Sequence, residues 1–309
     1  ATAQPYRHAA QHTARLMTEQ THDATERARL LRLATRASVI VALVLIALKS
    51  GVWLMSGSVS LLAGLIDSLM DAGASIINLF AVGYALKPAD KEHRFGHGKA
   101  EALAGLAQSA FITGSAVLVL LQGINRLLHP QPLETAWAGI AVMVFSIVAT
   151  LGLLAIQQHV IKRTHSTAIS ADSLHYRSDL ILNVSIIAAL LLAHFGIQRA
   201  DALFGLGIAV FIGYGAVRIG LEAIAILMDH ELPDDVRAAS LAIARAVPDV
   251  IDVHDLRTRQ SGHHWFMQLH LELPATLTLA DAHARGEQVR LAIIERYPQA
   301  DVLVHKDPA

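Results

Sequence analysis

Six long apolar stretches, at about 37–55, 58–86, 100–128, 137–161, 168–193 and 201–227, dominate the pattern of hydrophobic and polar positions along the 309-residue chain. Each approaches or exceeds the ~20 residues a helix needs to cross a ~30 Å hydrocarbon core. The stretches are continuous rather than alternating, and in lipid only helices or closed barrels satisfy their own backbone hydrogen bonds. The pattern therefore predicts six transmembrane helices over residues 37–228. A polar tail, 1–36, precedes them and shows no pattern of a cleavable signal peptide.

Past residue 229 the pattern changes. Asp229, Glu231, Asp234 and Asp235 close the last span and open a soluble segment, 229–309. Residues 234–246 have helical periodicity and stop before Pro248, and 279–296 predict a second helix. In 265–273 Met267, Leu269, Leu271 and Leu273 alternate with Gln268, His270 and Glu272, the period of a half-buried strand. With strands at 252–259 and 301–306 the order is α-β-β-α-β. The fold class predicted is an α-helical membrane protein carrying a small cytoplasmic α+β domain.

Basic residues set the orientation. The tail carries Arg15, Arg27, Arg29, Arg32 and Arg36, the 87–99 connection Lys87, Lys91, Arg94 and Lys99, and the next such connection Lys162 and Arg163. The connections near 56–57 and 129–136 have no Lys or Arg, and 194–200 has only Arg199. The positive-inside rule then places both termini in the cytoplasm. Composition agrees with a membrane protein: 53% hydrophobic and 17% charged, against about 25% charged in soluble domains. A net charge of −1 leaves no broad basic surface for nucleic acid. With no cysteine, disulfides, thiolate chemistry and iron–sulfur ligation are excluded, whereas histidine is abundant, at 17 residues.

Ionisable residues within the spans are the first functional candidates, since each costs about 2.5–3.5 kcal/mol at bilayer depth. Asp67 and Asp71 in the second span, and His175 and Asp179 in the fifth, are both spaced i, i+4, on one helix face. At 1.5 Å per residue, Asp67 and Asp179 each fall ~16 Å from the inner edge of the core, and Asp71 and His175 each ~10 Å. Three carboxylates and one imidazole at matched depth suit a tetrahedral Zn²⁺ site; polar glue between helices would ordinarily use Ser, Thr, Asn or Gln. Lys49 lies toward the outer end of its span and is expected to snorkel. Asp-Ser-Leu at 67–69 recurs at 172–174, a hint of repeated halves.

Outside the spans, Asp90, His93 and His97 are spaced by three and four, with Gly96 and Gly98 allowing the backbone to turn; spacing alone fits a solvated loop equally well. In the soluble domain His254, His270, His283, His305 and Asp307 sit on neighbouring elements, each alone compatible with a surface histidine or acid. His263 and His264 follow Gly262 in an expected hairpin turn and are taken as solvent-exposed.

Six spans, Asp-x-x-x-Asp in the second, His-x-x-x-Asp in the fifth, the run FGHGKAE before the third and GSVSLLAGLIDSLMD together resemble the cation diffusion facilitator family. The likeness runs from about residue 30 to near the end and is nearest the bacterial, zinc-transporting, proton-coupled branch. It implies a homodimer in the bacterial inner membrane that exports divalent metal in exchange for protons, with a metallochaperone-like cytoplasmic domain. It further implies a transport site of Asp67, Asp71, His175 and Asp179, a loop site of Asp90, His93 and His97, and a binuclear cytoplasmic site of His254, His270, His283, His305 and Asp307. An ion pair between Lys99 and Asp229 of the two subunits is also implied, although Asp229 alone reads equally as a helix-end residue. Two features depart from the pattern: Arg177 between His175 and Asp179, and Lys306 between His305 and Asp307.

Zn²⁺ is the expected substrate, with Cd²⁺, Fe²⁺ or Mn²⁺ compatible with the same donor atoms. Bound metal and bound protons compete for these atoms, and His175 is the natural proton carrier. A membrane-anchored metal sensor and an uncoupled channel remain as other readings. An intramembrane zinc protease does not, because His230–Glu231 is followed by Asp234 where H-E-x-x-H needs histidine. No enzymatic activity is expected.

Overall fold

A computed structural model describes the backbone of residues 4–56, 59–128, 137–194 and 200–309. It describes their side chains apart from those of 4–23, 56, 59–64, 66–67, 126, 137–139, 186, 189–194 and 200–202. In chain order the elements are α1 (Gln4–Ser56), α2 (Val59–Ala85), α3 (Lys99–Leu128), α4 (Trp137–Thr164), α5 (Thr167–His194), α6 (Ala200–Leu227), α7 (Asp234–Arg245), β1 (Asp252–Ser261), β2 (His264–Leu273), α8 (Leu279–Arg296) and β3 (Ala300–Pro308). They divide into two compact units: Arg29–Lys87 with Ala100–Ile224, and Pro88–Lys99 with Ala225–Ala309 and the first 28 residues.

The helical unit is built inside out relative to a soluble bundle. On α2 the buried stripe is Leu65, Ser68, Ala72, Ser75, Asn78 and Val82, whereas Leu69, Met70, Ile76, Ile77 and Phe80 are exposed. On α6 Ala209, Ala216 and Ala223 are buried, while Phe211, Tyr214 and Leu221 are exposed. Small and polar residues let helix backbones approach and hydrogen-bond, and the large apolar ones face a solvent that is itself apolar. Among the described residues five helices have stretches long and apolar enough to cross a membrane: Ala24–Met55, Ser68–Ala85, Lys99–Asn125, Ile140–Thr164 and Leu203–Leu227. α5 is one continuous helix whose described part carries Asp172, Arg177 and Asp179.

The predicted polar tail is instead continuous with the first span, as one 53-residue helix, α1. Between Pro5 and Gly51 there is neither proline nor glycine to stop it, and Ala, Leu, Arg, Gln and Glu all favour helix.

In the other unit β1 and β2 pair antiparallel and β2 and β3 parallel, giving the sheet order β1-β2-β3. The α-β-β-α-β order is as the sequence predicts. Val253, Met267, Leu269, Leu271, Leu273 and Val302 point to one face and form a core with Val236 and Ala244 of α7 and Val289 and Ile293 of α8. Each large side chain buried there contributes about 1.5–3 kcal/mol. Thr278 caps α8, its hydroxyl accepting from Asp281 N–H at 3.2 Å. With both helices on the apolar face, the alternating residues Asp252, His254, His270, Glu272, His305 and Asp307 occupy the other.

Candidate metal centres

In the helical unit α2 and α5 bring an acid and an imidazole together. His175 Nε2 lies 2.8 Å from Asp71 Oδ1 and 3.8 Å from Asp179 Oδ2. One donor atom from each of the three residues falls within 4.8 Å of the others, close enough to hold one cation. His175 is buried, with Asp71 and Asp179 partly exposed. Asp67 stands one turn before Asp71 on α2, but its side chain lies outside the described residues. Asp71 and Asp179 line a cavity of ≈ 290 Å³ together with Lys49, Ser68, Tyr176 and Asn183. Lys49 does not snorkel as expected: its ammonium donates to Ser68 Oγ at 2.6 Å and lines this cavity. A buried polar partner outweighs the gain from reaching an interface. Tyr176 fastens α5 to its neighbours, its hydroxyl 3.0 Å from Ser75 Oγ on α2 and donating to Ser38 O on α1. Arg177 is exposed, away from the donors.

Asp90, His93 and His97 also converge. Asp90 Oδ1 accepts from the N–H groups of Glu92 (2.9 Å) and His93 (2.6 Å), an Asx turn that folds the loop back on itself. Its two oxygens lie 3.4 Å from His93 Nδ1 and His97 Nε2. The backbone hydrogen bond from His93 leads the causes that hold the Asp90 carboxyl below its ordinary value, so it is ionised and ready to ligate at neutral pH. Gly96 makes the expected turn, with φ +78°. Gly98 does something else: the backbone of Ser261 and Gly262 passes where its Cβ would stand, so the loop presses against the β1–β2 turn. Phe95 packs edge-on to Phe266, with the Arg259 guanidinium 4.6 Å from one ring centre and 4.8 Å from the other.

Lys99 and Asp229, expected to pair between subunits, meet within one chain at 2.9 Å. The cause is local. α6 ends in a Schellman motif, with His230 N–H to Ala225 O and Asp229 N–H to Ile226 O. Asp229 takes the left-handed position, φ 56°, which Asp tolerates better than most residues. Its carboxylate there meets Lys99, at the start of α3, and Arg259, at 3.4 Å.

On the sheet the register makes two rows. His254, His270 and His305 are successive neighbours across the strands, and so are Asp252, Glu272 and Asp307. His270 Nδ1 lies 2.8 Å from Asp307 Oδ2, His305 Nε2 3.1 Å from Asp307 Oδ1, and His254 3.7 Å from both Asp307 and Glu272. The hydrogen bond from His270 is the chief cause that lowers the Asp307 carboxyl below its ordinary value. His254, His270 and Asp307 are close enough to share one cation, as are Asp252, His254 and Glu272. His283 is not brought to this face within the chain: it is exposed on α8, which covers the sheet's apolar side. Lys306 also leaves the row, its stem lying over Gly286 of α8. His264 is exposed as expected, whereas His263 is half-buried.

Sequence reasoning passed over Asp252 and Glu272, although the two-residue period that singled out His254 and His270 also marks them. It also passed over the significance of Asp172, which is fully buried on α5 and hydrogen-bonded to α1, α3 and α4.

Helices that turn large apolar residues outward and carry ionisable groups along an internal cavity define an integral membrane transport protein. Residues 35–228 match the cation efflux transmembrane domain and residues 232–309 the cytoplasmic domain of cation efflux proteins, so the chain belongs to the cation diffusion facilitator family. It is similar to the cation-efflux pump FieF of Cronobacter sakazakii, 51% identical over 280 residues covering 91% of this chain and 93% of that protein. FieF of Yersinia pestis (strain Pestoides F) is 50% identical over 281 residues, covering 91% and 94%. Among solved structures, the C-terminal domain of MamM is 22% identical over 25% of this chain and 98% of that one, with a TM-score of 0.24. The chain is a cation efflux transporter and not an enzyme.

Proposed function

We propose that this transporter exports Zn²⁺ from the cytoplasm in exchange for protons, by alternating access around Asp71, His175 and Asp179, with Asp67 as the fourth ligand. The observation that carries the reading is the convergence of those three side chains beside a cavity that Asp71 and Asp179 line, inside a lipid-facing helical unit. Imidazole and carboxylate donors with no thiolate suit Zn²⁺ and bind it moderately, as a site that must release its cargo requires. The coupling follows from the donors themselves: the metal needs neutral imidazole and ionised carboxylate, so protons arriving on those atoms expel it.

The cavity is also lined by Leu45 of α1, Gln122 and Gly123 of α3, Leu182 and Ser185 of α5 and Gly205 of α6. Both termini lie in the cytoplasm of a bacterial cell, at the inner membrane.

The transporter works as a homodimer. The match of its C-terminal part to the cytoplasmic domain of cation efflux proteins supports this, as does the uncovered sheet face carrying three imidazoles and three carboxylates. Metal held there, with His283 contributed across the interface, draws two domains together and biases the transport equilibrium. The loop cluster of Asp90, His93 and His97 collects metal on the cytoplasmic side. The test is Zn²⁺ flux into proteoliposomes enclosing a zinc-sensitive dye, with and without an imposed pH gradient. Flux that responds to the gradient is expected; gradient-insensitive flux would mean a channel, and no flux from folded protein would mean another metal or a sensor.

A further inference from the structure

We infer that Asp172 is a second proton-binding carboxylate of the transport cycle, separate from the metal ligands; the inference rests on the antiport reading above. Asp172 is fully buried on α5, one turn before His175. Among the described residues it makes no ion pair with Lys or Arg. Three donors from three other helices converge on it instead: Ser38 Oγ of α1 at 2.6 Å, Gln108 Nε2 of α3 at 3.1 Å and Gln157 Nε2 of α4 at 2.7 Å. A carboxylate fixed permanently as an anion in such a place, with only neutral partners, is costly.

The hydrogen-bond geometry accommodates both protonation states. Ser38 has one hydroxyl proton and two acceptors within reach, Asp172 Oδ2 at 2.6 Å and Ala34 O at 3.1 Å. With Asp172 ionised, Ser38 donates to the carboxylate. With Asp172 protonated, the carboxyl O–H donates to Ser38 Oγ, and Ser38 donates to Ala34 O. No heavy atom moves between the two arrangements. Gln157 Oε1 is buried with no hydrogen-bond partner, so a half-turn of its amide offers a further acceptor to the protonated acid.

The electrostatic sign fits exchange. The groups facing Asp172 from α1, α3 and α4 are the neutral Ser38, Gln108 and Gln157; the ionisable groups whose charge is felt there include His175 on its own helix and Asp71 on α2. A divalent cation between Asp71 and His175 favours ionised Asp172, whose proton passes to water. When the cation leaves, the remaining carboxylate charge favours its return.

The experiment counts protons released per Zn²⁺ bound to the purified full-length protein, by titration calorimetry in buffers of different ionisation enthalpy. Asp172→Asn keeps the shape and mimics the protonated acid. Release is expected to fall by up to one proton per chain (fractionally if Asp172 is partly ionised beforehand), with the Zn²⁺ stoichiometry unchanged. An unchanged proton count in a variant that still binds metal overturns the inference. Should Asp172→Asn fail to fold, Asp172→Glu decides the matter by infrared difference spectroscopy. A carboxylic acid band lost on adding Zn²⁺ to the wild type must move in that variant, and an unmoved band overturns the inference. Failure of the antiport reading shows separately, as wild-type flux indifferent to a pH gradient.

Discussion

Asp71 Oδ1 and His175 Nε2, 104 residues apart in sequence, lie 2.8 Å apart and join α2 to α5. The contact links two helices whose ligand pairs the sequence placed at one depth. Removing either acid of the site is therefore expected to cost more than a supporting hydrogen bond, whose loss weakens metal sites 10–100-fold. Asp71→Ala and Asp179→Ala should each lower Zn²⁺ flux by more than ~100-fold while leaving a folded protein by gel filtration. Near wild-type flux in either variant would remove that residue from the site.

The row of imidazoles on the sheet leads to a different outcome. His270 meets Asp307 at 2.8 Å and stands between His254 and His305. His270→Ala should weaken Zn²⁺ binding to the cytoplasmic domain by at least ~10-fold and shift the concentration dependence of transport without abolishing it. Complete loss of flux from folded protein would place this cluster on the transport path. Glu272→Gln tests the neighbouring acid, which should matter for metal stoichiometry at this face and not for maximal flux.

Much of this architecture was legible beforehand. The spans, the α-β-β-α-β order and the i, i+4 spacing of Asp67 with Asp71 and of His175 with Asp179 all follow from local periodicity, which the sequence carries directly. Three features did not. The continuity of α1 depended on the absence of a helix breaker, a weaker signal than the polarity that suggested a tail. Lys49 turned inward because Ser68 stands opposite it, a long-range fact. Asp172 is recognisable only once Ser38, Gln108 and Gln157 are seen to converge from three helices; no spacing within the chain announces that cage.

Gly98 has no room for a side chain beside the β1–β2 turn. Gly98→Ala should displace the loop from Ser261, at a cost of about 1–3 kcal/mol for overpacking. Hydrogen exchange should then quicken in 88–99 and at the β1–β2 turn, with the strands' interiors unaffected. Unchanged exchange in both places would show that the two segments do not bear on each other.

Acid should release the tie at Asp229. Burial pushes this carboxyl up, but Lys99 and Arg259 outweigh it and hold it below its ordinary value of 3.8. A carboxyl depressed in the folded protein stabilises above its unfolded value, and the effect is lost as pH falls through the folded one. Asp229→Asn should therefore melt below wild type at neutral pH, and the two should converge only beneath about pH 4. Convergence already at pH 6 would mean the ion pair contributes nothing.

The central claim is that the cation rides between α2 and α5. Anomalous diffraction at the zinc edge from crystals of the zinc-loaded, full-length protein tests it most directly. A zinc peak bounded by Asp67, Asp71, His175 and Asp179 is expected, absent in crystals of Asp71→Ala. Zinc confined to the loop and cytoplasmic clusters, with nothing between α2 and α5 in protein that transports, would contradict it.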